Sequence, residues 1–552
     1  MSTVTTDPVS DLHAALERAV ASVRGAHAPG AAPSLERPKR VGQGDYATNA
    51  AMLLAPALGE APRAIAERVS AALAAELGDA LDRVEIAGPG FVNLVLADGW
   101  FRRAVGVVLG AGERYGAGGT PAPERVLVEF VSANPTGPVV AASGRHAAFG
   151  DSLARILAHH GHHVGREYYV NDYGSQVLRL GESVRARALG EPVPEDGYQG
   201  DYIATMAEAV PGAADPAVSV AELSQRSVVY LLEQIRTTLS RYGVDFDRFF
   251  SERSLHEGAP AAVGAVITRL REAGHVYEHD GAVWLRTTTF GDDKDRVLFR
   301  TGGDHTYFAS DIAYMESKRQ RDWERQIIVL GADHHGYVGR LKAAFQTLGG
   351  EPDLLEPIIM QLVHLVEGGE KAKMSKRRGE FVTLDELLDE IGVDATRYFM
   401  LQSSHDRSLD LNLDLARSQS SENPVYYIQY AHARIHSILE KVGAERVAGI
   451  LAAGGAEPGA ETPLHPSERE LVLKLLALPG DIAEAAERRA PHRMAGYALE
   501  LAQQFTAFYR DCKVAGAEPA DAEAFRVRLC VATRGVLALV LGLLGVSAPT
   551  TM

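Results

Sequence analysis

Apolar positions recur along this chain with two periods, and each change of period marks a new part of the molecule. Over residues 61–77 they follow helical spacing, whereas 83–96 (RVEIAGPGFVNLVL) predicts two short strands around a Gly-Pro-Gly turn. The N-terminal block therefore predicts a small α+β domain, closed by a Gly/Pro/Ala-rich connector at 116–123. Beyond it, 125–131 (RVLVEFV) is a near-continuous apolar strand, followed by a Ser-Ala-Asn-Pro-Thr-Gly-Pro turn, a helix over 143–159 and a strand over 164–170. A second copy comes much later: strand 326–330, turn 331–336, helix 337–348, strand 358–366. Strand, tight turn, helix and strand make the βαβ unit of a doubly wound parallel sheet, so the two copies predict one nucleotide-binding fold split by an insertion. From Asp385 onward nearly everything has helical period, which predicts a helix bundle. A second Gly/Pro/Ala-rich stretch, 452–466, lies between helical patterns and reads as an interhelical loop, and the apolar run within 535–546 reads as a buried core helix.

Composition narrows the class without changing this outline. The 552 residues carry 56 Lys+Arg against 72 Asp+Glu, a net charge of -16, with 46% hydrophobic and 23% charged residues, which excludes a disordered or collagen-like chain. Only Cys512 and Cys530 are present, excluding a disulfide scaffold or an all-Cys zinc site and pointing to a reducing cytoplasm. The first 30 residues contain Asp7, Asp11 and Glu17 and no apolar h-region, so no secretory leader and no membrane partner is expected. An acidic total argues against a general polyanion binder, but residues 416–552 hold 14 basic and 15 acidic groups and are the least acidic part. A local basic surface there remains compatible with the total because charges screen over about 8 to 10 Å.

Three groups of residues carry chemistry. The turn after the first strand opens a helix whose N-terminal amides suit a phosphate, although many such βα turns hold no ligand. The segment 370–379 (EKAKMSKRRG) follows a buried strand and places five cations where a triphosphate could be clamped and charge on departing pyrophosphate neutralised. In the C-terminal helices Tyr426, Tyr427, Tyr430, Arg434, Tyr509 and Arg510 offer the stacking and edge contacts that read unpaired bases, with bundle packing the alternative for Tyr427 and Tyr430. The run of histidines at 159–163 has no cysteine partner and reads as a solvated helix end, not a metal site.

Four separated stretches in order, 128–138 (VEFVSANPTGP), 167–174 (EYYVNDYG), Lys373-Met374-Ser375-Lys376 and 423–435 (NPVYYIQYAHARI), together with 43–49 (QGDYATN) and the C-terminal 544–552, resemble the class I arginyl-tRNA synthetases over essentially the whole chain. The resemblance implies a multidomain α/β protein with a Rossmann-like catalytic core at 118–400, an insertion at about 185–290 and the KMSK loop at 371–379. Flanking it would be an α+β domain at 1–117 that meets the tRNA elbow and an all-α anticodon-binding domain at 401–552. It implies ATP-dependent activation of L-arginine and transfer to the 3′ end of tRNA(Arg), with Mg2+, in a cytoplasmic monomer.

Residue by residue, the resemblance assigns arginine binding to Glu129, Ser132, Asn134, Ser143, Tyr307, Asp311 and His335, the last standing where many relatives have glutamine. A guanidinium offers a rigid fork of five donors, and carboxylates and planar acceptors suit it. ATP contacts fall on Thr136, Gly137, Gly144, Gly331, Asp333, Lys373, Met374, Ser375 and Lys376, and catalysis on Lys373, Lys376, Ser143 and His146. For tRNA the positions are Phe91, Asn93, Tyr426, Tyr430 and Arg434. One departure stands out: where the family carries His-x-Gly-His, the HIGH signature, this chain has Val140-Ala141-Ala142-Ser143. Losing two imidazole donors is a change of about 3 to 4 kcal/mol each in comparable sites. Either helix amides, Lys373, Lys376 and Arg145 or His146 compensate, or the chain is a weakened or inactive paralogue that binds tRNA.

Overall fold

The computed structural model describes residues 7–26, 31–38, 42–258, 260–371, 382–454 and 462–552. Helix α1 (Pro8–Arg24) starts where the Asp7 carboxylate accepts from the Ser10 amide at 3.1 Å, with Pro8 pre-set for the first turn. After β1 (Tyr46–Thr48) follow α2 (Ala50–Leu58), α3 (Pro62–Leu77), β2 (Leu81–Ala87), β3 (Phe91–Leu96) and α4 (Asp98–Ala111). Strand β3 lies between β1 and β2, antiparallel to both, and α3 buries Ile65, Val69 and Leu73 in the same core. The α+β block and its Gly-Pro-Gly hairpin are as the pattern predicts.

The first half of the catalytic sheet is β4 (Arg125–Glu129), α5 (Ser143–His160), β5 (His163–Val170), the helices α6 (Ser175–Ala188), α7 (Asp201–Ala209) and α8 (Val220–Arg241), and β6 (Arg248–Ser251). Next come α9 (Arg253–His256), α10 (Ala262–Glu272), a small antiparallel sheet of β7 (Val276–His279), β8 (Ala282–Leu285) and β9 (Arg296–Phe299), and α11 (Tyr307–Gln320). The second half is β10 (Arg325–Gly331), α12 (Val338–Thr347) and β11 (Leu355–Met360). All five core strands run parallel in the order β11-β10-β4-β5-β6. Helices cover both faces, which is why Val126, Leu127 and Val128 read as an unbroken apolar run. Strand order reverses between β4 and β10, so a crevice opens at their carboxyl ends.

Three expectations are corrected here. The single insertion at 185–290 is two: β6 lies within that range yet belongs to the core sheet, its four residues too few to carry a period. The strand expected over 358–366 is split, because after β11 the chain leaves the core sheet and β12 (Val363–Glu367) pairs with β13 (Glu370–Lys371) and β14 (Leu409–Asn412). The Gln361 amide donates to the His405 carbonyl at 2.9 Å at that crossing; alternation reports which face a side chain takes, not which strand its backbone meets. Strand β14 also interrupts the run of helices expected after Asp385.

The remaining helices are α13 (Leu384–Ile391), α14 (Val393–Leu401), α15 (Leu413–Arg417), α16 (Pro424–Val442), α17 (Ala444–Ala452), α18 (Pro466–Leu476), α19 (Leu478–Glu487), α20 (His492–Asp511) and α21 (Ala520–Leu544). The 25 residues of α21 are, by length and composition, apolar enough to cross a membrane. Here they pack against α20, α16 and α4, with Leu529, Leu537, Val540 and Leu541 fully enclosed.

A buried charge ties these parts together. Arg397 of α14 is completely enclosed; its guanidinium donates to the carbonyls of Leu544 at 2.8 Å and Tyr242 at 3.0 Å and to the Asp151 carboxylate of α5 at 2.5 Å. Gly545 ends α21 at φ 68°, and a Cβ there would lie 2.3 Å from the Arg397 guanidinium carbon, so both its conformation and the close approach require glycine. Arg469 of α18 similarly bridges to the N-terminal block through Asp45, at 2.8 Å, and Asp98, at 2.5 Å. Removing one partner of a buried ion pair typically costs about 3–5 kcal/mol. Arg397→Met, which leaves Asp151 without its closest cation, should lower the thermal unfolding midpoint by several degrees, and a midpoint equal to wild type in a melting scan would contradict this role for the pair.

Candidate active site

The carboxyl end of β4 is strained into position. Ser132 donates its amide to the Phe130 carbonyl at 2.9 Å across a γ-turn, with Val131 at φ 67° and Ser132 at φ 41°. Such backbone costs about 1–3 kcal/mol per residue. It sends the Ser132 hydroxyl back into the protein, where it accepts from the Tyr169 amide at 3.1 Å and donates to Glu129 at 3.3 Å. Glu129, 8% exposed, forms an ion pair with the fully buried Lys318 ammonium.

Lys318 comes from α11, which presents Asp311, Tyr314 and Lys318 on successive turns of one face. The Tyr314 hydroxyl donates to Glu167 of β5 at 2.6 Å, and Arg321 donates to the same carboxylate at 2.9 Å. Glu129, Asp311, Tyr314 and Lys318 line a cavity of about 630 Å³ with apolar walls from Phe308, Met315, Ile328 and Leu341. Tyr307, at the first turn of α11, lines its mouth and is 59% exposed. Asp311 accepts from the Tyr337 hydroxyl. Burial, reinforced by the charges of Glu252 and Glu129 and opposed by the Tyr337 hydrogen bond and Lys318, raises its carboxyl to about 7.

A second group gathers around the start of α5. Residues 139–141 bond to the chain at 382–384: Ala141 donates to the Val382 carbonyl and Leu384 to the Val139 carbonyl, each at 2.8 Å. Ser143 is half-buried at the first helical position. Its amide and those of Gly144 and Arg145 already donate to the carbonyls of Val140, Ala141 and Ala142. The free helix amides expected for phosphate are therefore engaged within the turn. Gly144 is buried, and a Cβ there would come within 2.9 Å of Leu384, so close packing is what its missing side chain permits.

His146 faces the carboxyl end of β10. A Cβ on Gly331 would approach its ring to 4.0 Å and the Asp333 carboxylate to 2.7 Å. Burial, with the Arg145 charge in the same direction, lowers the imidazole to about 4, so it is neutral at physiological pH. Thr136 is buried and its carbonyl accepts from the Tyr202 hydroxyl of α7 at 2.7 Å, with Gly137 packed beside that ring. Exposed Asn134 donates to Gln176 at 3.1 Å and accepts from Asn171 at 3.2 Å. Lys373, Met374, Ser375 and Lys376 lie outside the described residues.

Further expectations are corrected by this geometry. His335 is exposed and is not among the cavity-lining residues; its neighbour His334 is. Arg145 is 1% exposed and donates to the carbonyls of Gln361, Ser404 and Arg407, so it clamps loops and faces no phosphate. In the N-terminal block Phe91 is 41% exposed but Asn93 only 5%, covered by the turn at Gly44. Sequence reasoning missed Lys318 and Tyr337. Lys318 could have been found at seven residues from Asp311 on a helical face; nothing in the local pattern marks Tyr337.

The C-terminal aromatics do form one surface. Tyr426 and Tyr430 stack with ring centroids 6.3 Å apart, and Arg434 lies 4.9 Å from the Tyr430 ring and 5.4 Å from that of Tyr509. Tyr430 is 42% exposed, whereas Tyr427 turns inward and donates to Thr506 at 2.8 Å.

A doubly wound parallel sheet with a charged cavity beside one strand end and a crevice at its switch point is a ligand-binding arrangement, and comparison with known proteins gives its class. Three family models match: "Arginyl tRNA synthetase N terminal domain" at 10–96, "tRNA synthetases class I (R), catalytic domain" at 221–425 and "DALR anticodon binding domain" at 428–552. The chain is 48% identical over 531 residues to an arginine–tRNA ligase of Frankia alni and 45% identical over 534 residues to one of Shouchella clausii, covering 94% of each chain in both cases. A Campylobacter jejuni structure described as an arginyl-tRNA synthetase aligns with a TM-score of 0.75 at 33% identity, over 83% of this chain and all of the other. The Thermus thermophilus arginyl-tRNA synthetase shares the fold, with a TM-score of 0.73 at 23% identity over 98% of this chain and all of that one. The chain belongs to the class I arginyl-tRNA synthetases.

On the assignment of the guanidinium to Asp311 that the family resemblance implies, pairing needs the ionised carboxyl, whose fraction rises from about one tenth at pH 6 to about nine tenths at pH 8, so the KM for arginine should fall about tenfold across that range. Asp311→Asn should abolish the pH dependence and weaken binding by about 2–5 kcal/mol; a steady-state series that is flat for wild type would refute the assignment. The same raised carboxyl opposes folding at higher pH: an unfolded Asp ionises from about pH 4, the folded one only near 7, so stability declines as pH rises through that interval. On the C-terminal surface, Tyr430→Ala should weaken tRNA binding by about 1–3 kcal/mol and leave the KM for ATP unchanged, as filter binding and kinetics would report.

Proposed function

We propose that this arginine–tRNA ligase holds the side chain of L-arginine in the cavity beneath α11, with ATP in the β4/β10 crevice. The observation that carries the reading is the enclosed Asp311 carboxylate, held by Tyr337 within apolar walls and beside an already paired Glu129. A planar cation with five fixed donors can meet Asp311 and the neighbouring acceptors together. Glu129 and Ser132 then hold the floor, and Tyr307 closes the mouth. Arginine's carboxylate attacks the ATP α-phosphorus, releasing pyrophosphate, and the 3′-terminal ribose of tRNA(Arg) then takes the arginyl group from the adenylate and releases AMP.

In the crevice, Thr136, Gly137, Gly144, Gly331 and Asp333 border the nucleotide, and Lys373 and Lys376 supply positive charge to the departing pyrophosphate. Exposed Asp333, at that end of the crevice, would help to hold Mg2+ beside the substrate phosphates, where the ion would offset charge on the departing pyrophosphate. With both signature imidazoles absent, the neutral His146 N–H is the described donor that the chain places at this point. Ser143 contributes its hydroxyl at the helix start. Phe91, Tyr426, Tyr430 and Arg434 are the contacts proposed for tRNA, on units taken as 1–117 and 401–552 around the core at 118–400. The reading places a monomer in the cytoplasm, consistent with two buried, unpaired cysteines.

A second reading, a weakened paralogue that binds tRNA, is favoured only by the altered signature and the engaged helix amides. Incorporation of labelled arginine into total tRNA separates the two: charging of arginine at least about 10^4-fold over lysine supports the enzyme, since a fork-shaped site leaves groups unpaired around an ammonium. No charging under any condition would favour the paralogue. His146→Ala should lower the maximal rate at least tenfold, about 1.4 kcal/mol, in a protein that stays folded, and an unchanged rate would remove His146 from the site.

A further inference from the structure

A cavity that receives a cation already contains a completely enclosed one, and this needs a reason. Lys318 is completely buried, lines the cavity, is ion-paired with Glu129 and lies 4.0 Å from the Tyr314 ring centroid. It is not needed by Glu167, the next acid along the sheet, which Arg321 and the Tyr314 hydroxyl already satisfy. Glu129's other oxygen takes the Ser132 hydroxyl. Among the described residues Asp311 forms no ion pair, although Glu129 on β4 and Glu252 after β6 act on it as like charges and Tyr337 on α12 donates to it. Tyr169 on β5 stands against the same acids. At the cavity wall Arg296 is engaged by Asp292 and Asp293, Arg340 stacks on Tyr337 at 4.6 Å, and Arg300 is the third arginine of the lining. Within the enclosed part of the cavity, inside the wall arginines, Glu129 is thus paired with Lys318, whereas Asp311 feels the Lys318 charge but has no ion pair of its own.

Resting on the reading of this cavity as the arginine site, we propose that Lys318 is a specificity-determining residue: it occupies the ammonium position on Glu129, so that the incoming side chain finds a single unbalanced carboxylate. An ammonium is a compact, strongly hydrated charge that needs concentrated negative charge to offset its desolvation, whereas a guanidinium is delocalised and weakly hydrated. One carboxylate plus neutral acceptors is adequate for the second and poor for the first. Were Glu129 free, a lysine side chain could reproduce the contact that Lys318 makes. Lys318 therefore excludes the ligand that resembles its own side chain.

The test compares arginine with lysine as substrates for tRNA charging in wild type, K318M, E129Q/K318M and D311N, with circular dichroism as the folding check. K318M should lower the arginine-to-lysine ratio of kcat/KM at least tenfold. It should also move the pH midpoint of the arginine KM upward, because Asp311 then faces an uncompensated Glu129. The double variant E129Q/K318M, which removes both charges, should recover discrimination to within about threefold of wild type. A folded K318M with an unchanged ratio and midpoint would overturn the proposal, as would a double variant that discriminates no better than K318M. If K318M does not fold, the double variant decides: retained discrimination supports charge balance, and a tenfold loss refutes it. D311N separates this from the underlying reading, since an unaltered arginine KM there would show that the cavity is not the arginine site and remove both claims together.

Discussion

Arg397 sets the condition that the rest of the architecture meets. A guanidinium removed from water is tolerated only when its donors are paired, because an unmatched buried charge costs several kcal/mol. Here the partners come from α5, from the end of α8 and from the end of α21. Those segments are far apart in the chain, so satisfying one side chain fixes the insertion, the catalytic helix and the C-terminal bundle relative to one another. Asp151 is further held by Arg155 at 2.8 Å, which extends the network along α5. The catalytic and bundle parts share a core as a consequence and do not meet at a thin linker.

That rigidity bears on the altered signature. Helix α5 is held from below by Asp151 and at its first turn by Arg145, whose donors go to the loops around residues 361 and 404–407. Its opening amides are consumed in the turn, and Gly144 is pressed against Leu384. The helix start is therefore a packed joint between the β4 turn and the chain at 382–384. The absence of a side chain at Gly331 leaves room for the His146 ring beside this joint, which is the observation behind its proposed role.

Strands β4 and β5 and the facing helix α11 bring several carboxylates together with different partners. Glu167 meets Arg321, Glu129 meets Lys318, and Asp311 is left with a phenol. Burial and like charges push Asp311 toward the neutral form, so a guanidinium entering the cavity relieves a cost already present in the fold. The γ-turn at Val131 is part of the same arrangement, since it turns Ser132 onto Glu129 and the Tyr169 amide.

Periodicity and motifs by themselves determined the class of fold, the order of the βαβ units and the segments that hold Glu129 and the Tyr430 surface, because helical and strand periods and signature turns are local properties; Asp311 came only through the family resemblance. Sequence could not show that 358–366 serves two sheets, that the four residues of β6 join the core, or that His334 and not His335 meets the cavity. Each depends on backbone pairing or on the twist of a short helix, neither of which alters which residues are apolar. The same holds for Arg145, a cation beside a phosphate-binding turn that tertiary contacts convert into an internal clamp. Lys318 makes the distinction plainest. Its helical spacing from Asp311 is written in the sequence, but its charge acquires meaning only when β4 brings Glu129 to it, since an ion pair across distant elements is decided by packing and desolvation and by nothing local.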